Sequence, residues 1–125
     1  MAVQTLNFRP SILNLLMYAG DGLNIKLTCK DKVGNLIDIT GFVTAQIRPD
    51  RLHPNDPPLA SFTVSLVDAY IGTVGLTLTG AQSLSLLEDG QNSFNGVWDV
   101  QWTPVGLQVR TLVQGTVECV ADVTR

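Results

Sequence analysis

From Gly22 the chain alternates apolar and polar residues with a period of two: Leu23, Ile25, Leu27 and Cys29 against Asn24, Lys26, Thr28 and Lys30. Successive side chains of an extended strand point to opposite faces, so this spacing predicts a half-buried strand with four apolar groups on one side. Gly34 and Asn35 in "DKVGNLID" tolerate the positive φ angles of tight turns and predict a hairpin there; "DITG" at 38–41 reads as a second corner. Val43, Ala45 and Ile47 then alternate with Phe42, Thr44, Gln46 and Arg48, a second strand that runs to Pro49. Residues 48–58 hold four of the six prolines. Proline has no N–H to donate to a sheet ladder, so this stretch is expected as a surface loop.

The alternation resumes with Phe62, Val64 and Leu66, and again with Val74, Leu76 and Leu78. Ala81 to Leu87 is the one helical candidate, a turn or two long, because Ala81, Leu84 and Leu87 recur every three residues and Gly90 follows. Trp98, Val100 and Trp102 share a strand face, a pair of large aromatics that suits the centre of a core. A turn at 104–106 and two further strands around Gly115 close the chain, the last with Val117, Cys119, Ala121 and Val123 in a row. About eight short strands with turn signals every eight to twelve residues predict an all-β fold, an antiparallel immunoglobulin-like β-sandwich with one short helical connector.

Residues 1–20 follow a different pattern. They are polar or mixed up to Ser11 and then crowd Ile12, Leu13, Leu15, Leu16, Met17 and Tyr18 together. Two readings stand: the first strand of the fold, or an arm that binds a neighbour and precedes a sandwich domain at 21–125. Apolar side chains on both faces of one strand imply cover on both sides, which makes these six residues candidates for subunit interaction.

Composition narrows the function classes. Hydrophobic residues make up 45% of the chain and charged residues 15%, against about a quarter charged in an ordinary soluble domain. Either a partner covers part of this surface, or Thr, Gln and Ser keep it soluble. The net charge of −3 is scattered without a basic run, and the nearest approach to one is Lys26, Lys30 and Lys32, so no nucleic-acid surface is expected. The longest apolar patch, "ILNLLMYAG", is far shorter than the roughly 20 residues that span a bilayer. No membrane role is expected. "MAVQTLNFRP" has no basic n-region or apolar h-region, so Cys29 and Cys119 are expected as reduced thiols in a protein made in a cytoplasm.

Catalytic chemistry finds few parts. His53 is the single histidine and lies in the proline-rich loop, without a Ser or Cys nucleophile arranged beside it in any known motif. Two cysteines and one histidine do not complete a four-ligand zinc site. Asp31, Asn35 and Asp38, and Asp50, Asn55 and Asp56, fit turn chemistry better than a calcium loop. No enzyme, metal or cofactor is expected. Arg48, Asp50, Arg51, His53 and Pro54 remain as candidates for an exposed contact loop.

The order of "GDGLNIKLTCKDKVGNLIDITGFVTAQIR", the proline-rich loop, "ASFTVSLVD", "GTVGLTLTGAQSLSLL", "GVWDVQWT" and "LVQGTVECVADVTR" resembles the small β-sandwich domains of tailed-phage virions. It is most similar to the N-terminal domain of baseplate upper proteins and to LtfC-like tail domains, from about Gly20 to Arg125. The resemblance implies a non-enzymatic structural protein of the virion, a tail-tip or baseplate (minor tail) component bound to other virion proteins in a symmetric, multi-copy assembly. A capsid decoration or neck protein is the structural alternative. The alternative of a different class is a carbohydrate-binding module that recognises host surface glycans through Trp98, Trp102 or Tyr70.

Overall fold

The computed structural model describes residues 11–30, 33–36, 38–50, 57–68, 72–87 and 90–121. Among the described residues nine strands and one helix follow in order: β1 (Ser11–Ile12), β2 (Leu15–Tyr18), β3 (Leu23–Thr28), β4 (Gly41–Arg48), β5 (Ala60–Ser61), β6 (Thr63–Asp68), β7 (Thr73–Leu78), α1 (Gly80–Ser85), β8 (Ser93–Pro104) and β9 (Arg110–Val120). They form an all-β sandwich of two unequal layers. The large sheet runs β1-β9-β8-β4-β5, with β2 also paired to β9, and the small sheet runs β3-β7-β6. Every pairing between these strands is antiparallel except those of β1 and β2, which run parallel to β9.

The inner faces are those the alternation predicts. Val43, Ala45 and Ile47 of β4, Val74, Leu76 and Leu78 of β7, and Trp98 and Val100 of β8 are buried together. Leu23, Ile25, Leu27 and Cys29 are half-buried against the same core, while Asn24, Lys26 and Thr28 face solvent. Trp98 is 2% exposed and packs its ring against Phe62 at 5.7 Å with a 50° tilt, a favourable offset geometry for two aromatics. Trp102, at the end of the row, is only half-buried.

Four local expectations need correction. The turn at Gly34 (φ +95°) does not join two strands of one sheet. β3 and β4 lie in different layers, and an isolated Lys30–Leu36 bridge marks the turn. Ile39, fully buried, anchors the crossing between layers. Second, the run from Ala60 to Asp68 is not one strand. Ala60 and Ser61 pair with β4, Phe62 donates its N–H to the Ala45 carbonyl at 2.8 Å, and the chain then joins β7 in the other sheet.

Third, Gly115 breaks nothing: β9 is continuous through it. Fourth, the helix turns another face inward. Ala81 and Leu84 are exposed, whereas Ser83 and Leu86 are buried. Thr79 caps it in a reciprocal box: its Oγ1 accepts from the Gln82 N–H at 3.1 Å, and Gln82 Oε1 accepts from the Thr79 N–H at 2.9 Å. The T-x-x-Q spacing carries that signal in the sequence.

Candidate interaction surface

The apolar N-terminal segment divides by face. In register with β9, Leu15 lies opposite Val117, Leu16 opposite Glu118, Met17 opposite Cys119 and Tyr18 opposite Val120. Met17 and Ala19 are buried in the core and Leu15 packs against it. Ile12, Leu16 and Tyr18 point outward, 74%, 58% and 49% exposed. Segment 11–19 is therefore the first strand of the large sheet, and its outward row is an apolar strip along the sheet's edge.

Between β1 and β2 the chain dips toward the core at Leu13. Its carbonyl accepts a 2.7 Å hydrogen bond from the Trp98 indole Nε1. Gly115 makes the dip possible, because a Cβ there would collide with the Leu13 carbonyl. The Asn14 side chain replaces a lost ladder contact by accepting from the Thr116 N–H at 3.0 Å. Beyond β2, Ser83 clasps the corner: its Oγ accepts from the Gly20 N–H at 2.9 Å and donates to the Asp21 carbonyl at 2.8 Å. The bonds of the Trp98 indole and the Ser83 hydroxyl satisfy buried polar groups that would otherwise be costly.

The proline-rich loop candidates fall differently from expectation. Arg48 and Asp50 are half-buried, not exposed, because they wall a concavity of about 430 Å³ on the outer face of the large sheet. Gln46, Asp99, Gln101 and Gln114 line it with them. Arg51, His53, Pro54 and Tyr70 lie outside the described residues. Asp99 turns away from the two tryptophans, as alternation implies, but into this concavity, where Gln101 Nε2 donates to its Oδ2 at 3.3 Å.

Sequence reasoning missed an apolar end of the sandwich. Phe42 (67% exposed) sits one residue inside β4, opposite Thr103, beside the β8–β9 turn that carries Val105, Leu107 and Val109, all exposed. The signal was available: Phe42 occupies the polar phase of its strand, and "PVGLQV" places three apolar residues in and after a turn.

Titratable groups show local effects. Asp38 accepts from the hydroxyl and the N–H of Thr40, and these bonds lower its pKa below the usual carboxylate value. Burial raises the thiol pKa of both Cys29 and Cys119. Both are free thiols. Among the described residues no cluster of His, Cys, Asp and Glu is placed to hold a metal, and no helix is long and apolar enough to cross a membrane.

Fold and surface together define a β-sandwich with an apolar edge strip, an apolar end and a polar concavity. No family model and no curated protein matches the sequence. Among solved structures the chain is similar to a mutant of the SrpA adhesin from Streptococcus sanguinis, with a TM-score of 0.51 at 10% identity. The match covers 93% of this chain and spans 57% of the adhesin chain. At that identity the likeness is one of fold.

Proposed function

We propose that this chain is a non-enzymatic structural subunit of a tailed-bacteriophage virion, in the tail tip or baseplate, that binds neighbouring virion subunits along the edge of its large sheet. The observation that carries the binding role is the outward row Ile12, Leu16 and Tyr18 on an edge strand. Large apolar side chains in a row on a sheet edge mark a contact surface, and each one removed from water favours association by roughly 1.5–3 kcal/mol before ordering costs. The virion setting rests on the ordered resemblance of the segments from Gly20 to Arg125 to phage tail domains. A capsid decoration or neck protein would differ in position, not in chemistry.

Deleting residues 1–20 does not test the edge contact, since Met17 and Ala19 leave the core with it. A triple variant, Ile12→Ser, Leu16→Ser and Tyr18→Ser, changes only outward groups. It is expected to fold with a stability loss of about 1 kcal/mol or less and to enter particles at least about tenfold less well. Quantitative mass spectrometry of purified particles and their imaging read both incorporation and position. Wild-type incorporation of the variant would sink the edge contact, and absence of the wild-type chain from particles would sink the virion setting.

The aromatic route to glycan binding loses one of its three candidates: Trp98 is enclosed in the core with its indole N–H bonded to Leu13. Trp102 is half-buried and donates to the Thr40 carbonyl at 3.2 Å.

A further inference from the structure

The outer face of the large sheet carries a row of side chains in register across its strands: Ser61 on β5, Gln46 on β4, Asp99 on β8 and Gln114 on β9. Beside it, Arg48, Asp50 and Gln101 line the 430 Å³ concavity, with Val97 and the core-buried Trp98 as its apolar lining. That volume falls within the range of roughly 300–1,000 Å³ common for small-molecule sites. Solvent faces of sheets usually carry exposed charged side chains, whereas Gln46, Asp99, Gln101 and Gln114 are half-buried.

Two carboxamides are oriented in opposite senses. Arg48 donates to Gln46 Oε1 at 2.9 Å, which fixes Gln46 through its oxygen and leaves its NH2 as a donor. Gln101 is held through its Nε2 on Asp99, which leaves its oxygen as an acceptor. Arg48, Asp50 and Asp99 each already have partners within the protein. A charged ligand would have to compete with those partners. A neutral ligand rich in hydroxyls can instead meet the carboxamides, because a hydroxyl can accept from the Gln46 NH2 and donate to the Gln101 oxygen.

We propose that this concavity is a binding subsite for a neutral sugar ring, held by the carboxamides of Gln46, Gln101 and Gln114. Asp99 is a positioning residue: it accepts from the Gln101 NH2 and so turns the Gln101 oxygen to the ligand. The subsite does not depend on where the protein sits in a particle.

NMR titration of isotope-labelled protein with D-glucose, D-galactose, D-mannose and N-acetyl-D-glucosamine tests it. At least one sugar is expected to shift the side-chain NH2 signals of Gln46, Gln101 and Gln114 saturably, with a Kd on the order of millimolar. Gln101→Ala removes an acceptor and is expected to weaken binding about tenfold, while Lys26→Gln on the opposite sheet leaves it unchanged. The site is ruled out if no sugar gives a saturable shift up to about 50 mM, if shifts map elsewhere, or if Gln101→Ala binds as the wild type does. Such a failure leaves particle incorporation of the edge variant untouched, so the two readings fail separately.

Discussion

Gly115 and Leu13 decide how the first strand meets the last. Gly115 stands opposite Trp98 on the inner face, and its missing side chain is the notch into which the Leu13 carbonyl drops to meet the indole. Gly115→Ala fills that notch. It is expected to push β1 outward, leave the buried indole N–H unpaired, and cost roughly 2–4 kcal/mol in urea unfolding. Unchanged stability would show that the dip relaxes freely. Asp38 gives a pH-dependent counterpart at the surface. Its folded pKa is lowered by Thr40, so its contribution is present above the unfolded value and is lost as pH falls through the lowered one. Thr40→Val removes the hydroxyl donor and is expected to bring the NMR titration midpoint of Asp38 upward, toward an ordinary carboxylate; no movement would mean that the backbone N–H alone sets it.

At the scale of elements, the segment before Gly20 is a strand with two different faces. Met17 lies beside Cys119 of β9 and faces the core at 4% exposure, so Met17→Ala should cost roughly 2–5 kcal/mol in chemical denaturation, whereas Leu16→Ala next to it should change stability by about 0.5 kcal/mol or less. Equal effects would contradict the division of faces. Alternation made most strand faces legible, β4 and β7 above all, since burial on one side writes a period of two directly into the sequence. Which sheet each strand joins was not legible. The crossing at Phe62 and the change of layer between β3 and β4 leave the alternation undisturbed, because both sheets present the same kind of inner face. Gly115 misled because glycine marks turns and close backbone approaches alike, and the partner in this approach lies about a hundred positions away in the chain. The concavity was invisible for a similar reason: Gln46, Asp99 and Gln114 are ordinary polar-phase residues until strand order sets them side by side.

Across the whole molecule, two layers of unequal size are held together without a disulfide. Cys29 extends the inner row of β3 at the small sheet and Cys119 lies in β9 of the large one, both as free thiols, so no covalent staple joins the layers. Burial raises both thiol values. Their contribution to stability is therefore fully present below the unfolded thiol's pKa and is lost as pH climbs through the raised folded one. The thermal midpoint near neutral pH is expected to be the same with and without reductant, and a midpoint that drops on reduction would reveal a disulfide. Trp98 touches the small-sheet crossover through Phe62 and the N-terminal strand through Leu13, which makes its fluorescence a reporter of both. If β1 and β2 belong to the cooperative unit, tryptophan emission and far-ultraviolet circular dichroism lose their native signals at one urea concentration. An emission change that precedes the loss of sheet signal would instead mean that the edge strand leaves before the sandwich opens, and would make the strip of Ile12, Leu16 and Tyr18 a detachable element rather than a fixed surface.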